Sequence, residues 1–383
     1  MNHKNKTKKR NNKLGKKTRK GGKVIGSGGF GCVFRPALKC SKKRNRGANM
    51  VSKLMTKRHA KKEYSTIKKI KKKLSVIPQY SNHFLINNVS SCSPAPLTES
   101  DLSNFDEKCK VMKKYDDITK QNVNENLKKL KSLNLPDGGV SLSTYYGNMK
   151  TESDFDYINK QLIELLKNGI LPMNELGVYH GDVKEGNILF NLHTHRIGLI
   201  DWGLSFSTNS KNAKIPKLLK NKPLQYNLPF SIILFNSTFD KLYKEFLKTH
   251  TSNQKSSLRI FITDYIDTWI DKRGEGHLEV IEDVWSKVSN QKNIDVIQTY
   301  IVPYLTDILI EFTYNGKFNK RYYFNTIFLP NLDIWGFLMS YSSVLEHDTF
   351  QKGKFISKLY MDYLISTPIE RINPSEVISS LNM

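Results

Sequence analysis

The chain has 383 residues, of which 38% are hydrophobic, and 61 Lys and Arg residues stand against 35 Asp and Glu residues. This length suffices for one large domain or for two smaller ones. No apolar run approaches the roughly 20 residues of a membrane span, and the basic start lacks the apolar core of a signal peptide. We therefore expect an intracellular protein, cytoplasmic or nuclear, without a membrane span.

The positive charge is concentrated at the front of the chain. Residues 1–73 contain 27 Lys and Arg residues but one acid, Glu63, whereas basic and acidic groups balance in the remainder. Residues 1–22 carry almost no apolar side chains, and such a segment cannot bury enough surface to offset its ordering entropy. We expect a disordered basic arm that suits nucleic acid, an anionic surface or a nuclear address; a solvated tail without a partner is the alternative.

The four cysteines give no sign of a metal site or of secretion. They are too far apart to form a C-x-x-C pair, and they occur at Cys32, Cys40, Cys92 and Cys109. Because intracellular compartments keep thiols reduced, the sequence predicts four free thiols.

A glycine-rich stretch opens the structured part of the chain. Residues 23–35 and 50–56 are predicted strands, and IGSGGFGCVF at residues 25–34 fits the pattern G-x-G-x-x-G-x-V. Glycines let backbone amides approach phosphate oxygens. Dinucleotide-binding turns share the pattern but need a helix after the last glycine, whereas a strand continues here. We expect a hairpin over a nucleotide, with a ligand-free hairpin as the alternative. The candidate binding residues are Ile25, Gly26, Ser27, Gly28, Gly29, Phe30, Gly31, Cys32, Val33 and Lys53.

Lys53 and Glu63 are the next candidates. Lys53 lies in the short apolar strand MVSKLM, and a lysine that points inward from a buried strand requires a partner charge. Residues 57–74 have helical spacing, and Glu63 is their only acid. We expect Glu63 to orient Lys53 onto the α- and β-phosphates of a nucleotide; the alternative is a surface lysine in a lysine-rich region. The apolar face of this helix consists of Ala60, Ile67, Ile70 and Leu74.

The middle of the chain gives weaker signals. The turn residues NLPDGG at 134–139 predict a hinge. Residues 153–176 are a predicted helix whose last turns Pro172 should disturb. Two short strands are predicted at 188–190 and 197–200. Residues 210–383 favour helices and contain aromatic-rich segments, and HLEVIEDVWSKV is one of the helix-like stretches.

The most specific stretch is HGDVKEGNILF, which places Asp182, Lys184 and Asn187 just before a strand. After the next strand comes IDWG with Asp201. Two acids and an amide around a β-hairpin suit phosphoryl transfer. Asp182 could accept or orient the proton of an acceptor hydroxyl, and Lys184 could neutralise charge on the transferred phosphoryl group. Asn187 and Asp201 could hold Mg²⁺ through their side-chain oxygens. The alternative is a turn of structural polar residues.

In this order the stretches resemble the eukaryotic-type protein kinase family over residues 23–378. The glycine stretch resembles its glycine-rich loop, Lys53 its strand lysine and Glu63 its helix glutamate. HGDVKEGN resembles the catalytic loop and DWG the metal-binding D-F-G motif. DIWGF at residues 333–337 is similar to the D-x-W-x-x-G helix without the second glycine, and Arg371 to the arginine near the family's C-terminal end. The composition and the wording GGFGCVFRPALKC resemble kinases of large DNA viruses, which would place the protein in a host cell or virion.

The sequence departs from the family at four points. Gly181 replaces the arginine before the catalytic aspartate, so we expect activity without phosphorylation of an activation loop. The A-P-E element is absent, although residues 227–235 stand near its place. The distance from Asp201 to Asp333 predicts an ordered insertion at about 236–330. Glu63 also follows Lys53 at only ten residues.

The resemblance implies an α+β, bilobal protein-kinase-like fold, with a small mainly β lobe at 23–136 and a large mainly α lobe at 137–383. ATP and Mg²⁺ would lie between the lobes, with adenine near residues 135–139. The implied activity is that of an ATP-dependent protein serine/threonine kinase, since Lys184 favours a serine or threonine acceptor. The alternatives are a small-molecule kinase of the aminoglycoside and choline type, which shares HGD, GN and IDWG, and a pseudokinase or nucleic-acid-binding scaffold.

Overall fold

The structure is a computed structural model that describes residues 22–42, 49–208, 212–346 and 351–382. The chain divides into two compact units. The first contains the described residues up to 60 together with 90–135, and the second contains 61–89 and everything from 136 onward. The predicted basic arm lies outside the described residues except for Gly22, whose amide donates to the Asp101 carboxylate at 2.6 Å.

The first half of the chain alternates strands and short helices. In chain order these are β1 Lys23–Gly28, β2 Gly31–Arg35, β3 Met50–Thr56, α1 Lys57–Leu74, α2 Tyr80–His83, β4 Ser90–Cys92, α3 Phe105–Lys108, α4 Lys110–Asp116 and β5 Leu130–Pro136. The strands predicted at 23–35 and 50–56 are therefore confirmed, with the first range divided into β1 and β2 by the glycine turn.

The first unit is built on a five-stranded sheet with the order β1-β2-β3-β5-β4. β2 pairs antiparallel with both β1 and β3, so that Val33 lies opposite Lys53. One face carries a small core of apolar side chains from the strands, from α3 and α4, and from the loops around them. This core includes Phe34, Leu54, Phe105 and Met112, all at most 1% exposed.

The prediction of free thiols is wrong. Cys32 forms a disulfide with Cys109, and Cys40 forms one with Cys92, so that none of the four cysteines is free. The partners are 77 and 52 residues apart in sequence, but the folded sheet brings their Cα atoms to 5.4 and 5.8 Å, which is ordinary disulfide spacing. The spacing rule failed because it tests only local pairs, whereas both bonds in this unit are long-range.

Helix α1 begins and ends at the residues that its apolar pattern predicts. Ala60, Ile67, Ile70 and Leu74 form its buried stripe, each at most 4% exposed. Glu63 belongs to the same stripe and is 6% exposed, while the lysines cover the other faces. Amphipathic spacing over five turns thus fixes both the helix and the burial of its one acid.

The second half of the chain is mostly helical. Its elements are β6 Val140–Ser141, α5 Leu142–Gly147, α6 Glu152–Leu165, α7 Leu171–Glu175, β7 Val178–Tyr179, β8 Ile188–Asn191, β9 Arg196–Leu199, β10 Phe206–Ser207, α8 Ser237–Phe246, α9 Lys255–Arg273, α10 Leu278–Ser289, α11 Val302–Phe312, β11 Thr313–Tyr314, β12 Lys317–Phe318, α12 Lys320–Tyr323, α13 Leu329–Met339, α14 Lys352–Tyr360 and α15 Pro374–Leu381. The chain is therefore of mixed α+β class, with a small antiparallel sheet near the N-terminus and a mostly helical C-terminal part. None of the helices within the described ranges has the length and apolar character needed to cross a membrane.

Three prolines sit at the second position of a helix directly after a π-helical turn. Pro172 follows the turn Leu166–Ile170, Pro303 follows Ile297–Ile301, and Pro330 follows Phe324–Phe328. Proline lacks an N–H group, and its ring clashes with the carbonyl four residues earlier. The wider turn moves that carbonyl away, so each helix continues through its proline. The disturbance predicted at Pro172 therefore takes the form of one wide turn.

The segment at 236–330, for which an ordered insertion was predicted, is mostly helical, and HLEVIEDVWSKV contributes to α10; its status as an insertion stays a prediction. Its large side chains face the interior, since Trp269 on α9 and Trp285 on α10 are at most 2% exposed. Phe230 contacts Trp285, Tyr304 and Trp335 edge-on at 5.3–6.2 Å between ring centroids. An aromatic core thus joins this segment to α13 within the second unit.

Candidate active site

A buried carboxylate on α13 fixes the loop that contains the HGD motif. Asp333, 1% exposed, accepts hydrogen bonds from the backbone amides of His180 at 2.8 Å and Gly181 at 2.9 Å. Asn174 donates to the same carboxylate at 2.8 Å. Gly181 has a φ of 68°, a left-handed conformation that side chains disfavour. A residue with a side chain, such as arginine, would therefore be strained at this position.

The rest of the DIWGF stretch also supports the loop. The Trp335 indole donates to the carbonyl of Tyr226 at 3.0 Å. A side chain at Gly336 would place its Cβ 2.5 Å from the carbonyl oxygen of Val183, so only glycine permits this close approach. One turn of α13 thus holds both the HGD loop and the segment around Tyr226.

Three side chains hold the carboxylate of Asp182, which is 14% exposed. Lys184 Nζ lies 3.1 Å from Oδ1, and Asn227 Nδ2 donates to the same oxygen at 2.9 Å. Asn187 Nδ2 donates to Oδ2 at 2.9 Å and to the Asp182 carbonyl at 2.8 Å. A carboxylate oxygen has two acceptor sites. With respect to the described residues, Oδ1 is therefore saturated and Oδ2 keeps one site for a further donor.

The two predicted metal ligands flank the β8–β9 hairpin. β8 pairs antiparallel with β9, and the Ile200 amide donates to the Asn187 carbonyl at 3.0 Å at the end of the hairpin opposite its turn. Asp201 follows at once with a φ of 61° and a ψ of 70°, which is uncommon for a residue other than glycine. The pairing of the strands therefore sets Asn187 beside the residue that precedes Asp201.

The ring of Trp202 packs the end of this hairpin. It is 1% exposed and contacts Phe84 at 5.6 Å and His180 at 4.9 Å between ring centroids. His180 is fully buried, and its Nε2 lies 2.9 Å from the Ile200 carbonyl. Trp202 thus serves as a packing contact that couples the HGD loop to the residues before Asp201.

The donor chemistry at the hairpin fits Mg²⁺ in part. Asn187 uses its amide nitrogen on Asp182, which leaves Oδ1 as an oxygen ligand, and Asp201 offers a carboxylate. Mg²⁺ commonly takes one or two protein oxygens and completes its shell with water and phosphate. Within the described ranges, no group of three or more His, Cys, Asp or Glu side chains is placed to hold a metal ion. A site here would therefore depend on the substrate's phosphates.

The glycines of the glycine-rich hairpin in the first unit have two kinds of surroundings, one crowded and one open. A Cβ at Gly31 would lie 2.4 Å from the Leu54 carbonyl, so packing requires this glycine. At Gly26 and Gly29 no described atom lies within 4 Å of the added Cβ. Phe30, at the tip, is 48% exposed. Gly26 and Gly29 thus leave an open backbone surface that packing does not demand.

Lys53 and Glu63 are both buried, at 5% and 6% exposure. Lys53 lies on β3 in the first unit, and Glu63 lies on the part of α1 that belongs to the second. Buried charges are costly unless each one is paired. Their burial agrees with a functional rather than a surface lysine, and the pairing of the two remains a prediction.

Three residues near Asp182 were not predicted as site residues. Asn227 is 1% exposed and contacts Asp182 directly. Burial lowers the pKa of Lys222, with Asp182 acting in the opposite direction and Lys184 in the same direction. Burial also lowers the pKa of His277, again with effects from Lys184 and Asp182. Asn227 opens the stretch noted in place of A-P-E, but no sequence signal marks the other two.

Arg371 was noted for its likeness to an arginine near the C-terminal end of protein kinases, and in the part of the chain that the structure describes it forms no ion pair with a carboxylate. Its Nε donates to the Thr326 carbonyl at 2.7 Å, next to the π-helical turn before α13. It therefore ties the C-terminal segment to the helix that carries Asp333.

Comparison of the chain with protein-family models finds no matching family, and comparison with curated proteins finds no match. The functional assignment therefore depends on the residues of the site and on the resemblance of its motifs.

Proposed function

We propose that the chain is an ATP-dependent protein serine/threonine kinase with a bilobal, kinase-like fold. The observation that carries the proposal is the geometry around Asp182. Its carboxylate is held by Lys184, Asn187 and Asn227, on a loop anchored to Asp333. A structural turn has no need for an oriented carboxylate that keeps an acceptor site, whereas a group that receives a proton does.

In the second unit, Asp182 would accept the proton of a serine or threonine hydroxyl at Oδ2. The hydroxyl oxygen would attack the γ-phosphorus of ATP as the bond from that phosphorus to the β-bridging oxygen breaks, which releases ADP. Lys184, beside Oδ1, would stabilise the charge that develops on the transferred group. Asn187 and Asp201 would hold Mg²⁺, which when bound neutralises phosphate charge.

In the first unit, the backbone around Gly26 and Gly29 would bind phosphate oxygens. The open surface at these two glycines supports this role. Lys53 would bind the α- and β-phosphates with Glu63 as its orienting partner. Burial of both charges supports this assignment over that of a surface lysine.

The test is transfer of labelled γ-phosphoryl from Mg²⁺–ATP to generic protein substrates, compared with a panel of amino sugars and amino alcohols. We expect transfer to protein, and we expect Asp182→Asn to lower it by about a thousandfold, since a positioned general base contributes 10²–10⁴-fold. Asp362→Asn is the matched control, because Asp362 is an exposed acid paired with Lys358 on the surface.

Each rival function gives a different result in this assay. Transfer to small molecules alone would favour the aminoglycoside and choline type of kinase. Transfer to neither acceptor, with the same background for the wild type and Asp182→Asn, would leave a pseudokinase or scaffold. Either outcome would refute the proposed function.

A further inference from the structure

The outward face of helix α1 carries charge of one sign. Five of its lysines are exposed, and all belong to the second unit: Lys61, Lys62, Lys68, Lys69 and Lys72. We call this set the lysine stripe. Each residue of an α-helix advances the side chain by about 100° and about 1.5 Å, so the stripe covers about 120° of the circumference and about 16 Å of length. Glu63, the only acid of the helix, lies on the opposite, buried face.

The lysine stripe has no acidic partners of its own. Among the residues that the structure describes, its five lysines take part in no ion pair, and Lys68 instead lies 4.9 Å from the ring centre of Tyr64. Other exposed lysines of the second unit do have acidic partners at 2.6–3.2 Å: Lys248 with Glu245, Lys255 with Asp307 and Lys358 with Asp362. The stripe therefore differs from an ordinary solvated surface, on which charges of both signs are interspersed.

The spacing of the stripe brings like charges together. Lys68 and Lys72 are four residues apart, and Lys69 and Lys72 are three apart, so their side chains are neighbours on the helix surface. Like charges at these spacings destabilise a helix. A bound polyanion would relieve this repulsion, because its negative groups would lie between the ammonium groups.

The surroundings of the stripe favour a double-stranded nucleic acid among polyanions. A duplex carries a phosphate roughly every 1.7 Å along its axis, so about ten phosphates correspond to the length of the stripe. The stripe, all of which the structure describes, has no exposed aromatic side chain on which the bases of a single strand could stack. A helix that lies on a membrane inserts its apolar face, but the apolar face of α1 is buried in the protein.

We propose that the lysine stripe of α1 binds the phosphate backbone of a duplex nucleic acid without regard to base sequence. The proposal does not rest on the kinase function, since none of the five lysines belongs to the phosphoryl-transfer site. DNA and RNA duplexes share the phosphate chemistry, and the experiment distinguishes them. The two faces of α1 thus have separate roles, with Glu63 on the inner face and the stripe on the outer face.

The test measures the salt dependence of binding by fluorescence anisotropy. The full-length protein is titrated into short labelled duplexes of mixed sequence, DNA and RNA, over a range of KCl concentrations. The slope of log Kd against log salt concentration increases by about 0.9 for each phosphate contact. The variant with Lys61→Gln, Lys68→Gln and Lys72→Gln together should therefore lower the slope by about 2.7. Residues 1–21 are present in every variant, so any contribution from them cancels in the difference.

A matched control separates the stripe from the net charge of the protein. The variant with Lys248→Gln, Lys255→Gln and Lys358→Gln together removes the same charge from exposed positions elsewhere on the second unit. We expect its slope and affinity to equal those of the wild type.

Ser65 gives a second, independent variant, because it is exposed in the middle of the stripe. Ser65→Glu places a carboxylate three or four residues from four of the lysines: Lys61, Lys62, Lys68 and Lys69. Opposite charges at these spacings stabilise a helix. Ser65→Glu should therefore unfold at a temperature no lower than Ser65→Gln does, while it binds the duplexes more weakly. A merely structural role of the stripe would not produce this opposition.

Equal slopes for the wild type and the stripe variant would overturn the proposal, and so would an equal loss in the control variant, which would mean that net charge alone is responsible. Tighter binding to a single strand than to either duplex would also overturn it. Binding to phosphatidylserine–phosphatidylcholine vesicles, with none to either duplex, would assign the stripe to a membrane surface instead. Phosphoryl transfer is measured separately, so none of these results would refute the proposed function.

Discussion

The two units of this chain are stabilised by different means. The first has a small sheet, a small apolar core and two disulfides. The second contains all four tryptophans, each at most 2% exposed, and its loops are held by hydrogen bonds from buried side chains. A small unit buries a smaller fraction of its surface and gains more from covalent links. The comparison predicts that removal of a disulfide lowers the stability of the first unit, and that replacement of a buried hydrogen-bonding side chain lowers the stability of the second.

The largest expected effect on stability comes from removal of the Cys32–Cys109 disulfide. Cys32→Ser combined with Cys109→Ser should destabilise the first unit by about 4 kcal/mol, because the bond closes a long loop in the unfolded chain. Hydrogen exchange should rise across residues 22–42 and 90–135. Tryptophan fluorescence reports only the second unit and should show an unchanged urea midpoint. Exchange equal to that of the wild type would contradict the prediction.

A smaller loss is expected from Asp333→Asn in the second unit. The new amide group cannot accept from both backbone amides as the carboxylate does, and an unsatisfied buried donor costs about 1–3 kcal/mol. The midpoint followed by tryptophan fluorescence should fall, and phosphoryl transfer should fall with it. Asp362→Asn, at the surface, is the control. Full activity in Asp333→Asn would show that the loop does not depend on this carboxylate.

Substitution of two glycines in the β1–β2 hairpin, Gly31 and Gly29, tests how closely the first unit is packed. Gly31→Ala should cost about 2 kcal/mol, since overpacking of this kind costs 1–3 kcal/mol and the new methyl group meets the Leu54 carbonyl. Gly29→Ala meets no described atom and should leave stability nearly unchanged. Thermal unfolding of the two variants tests this difference. A larger loss for Gly29→Ala would disprove the packing argument.

The smallest expected effect is a dependence of the stability of the second unit on pH. Burial lowers the pKa of His83, and Glu164 opposes this in part. The folded state therefore binds the proton at His83 less readily than the unfolded state does. The contribution of neutral His83 to the free energy of unfolding is complete above pH 6.5, and it is lost as the pH falls through the pKa of the folded state. His83→Gln should flatten this decline in urea unfolding between pH 7.5 and 5. An identical decline in the variant would assign it to other groups.

Patterns within a few neighbouring residues of the sequence predicted the secondary-structure elements that depend on such short-range features. Helix α1 and the β1–β2 hairpin depend on apolar spacing and on glycine, and both were predicted closely. The D-x-K-x-x-N spacing likewise brought Asp182, Lys184 and Asn187 together, since a short loop cannot separate them. The disulfides and the contact from Asn227 join residues at least 45 positions apart, and no periodicity in the sequence encodes such a distance.

The π-helical turn before α13 also determines the direction in which the side chains of α13 point. Each residue in an α-helix advances the side chain by about 100°, so the extra residue in the wide turn at Phe324–Phe328 determines which direction Asp333 and Trp335 point relative to the preceding helix. Removing one residue from this turn would leave a regular helix. It would also rotate the Asp333 carboxylate away from the two amides that it holds, and Pro330 would then meet a carbonyl in its path.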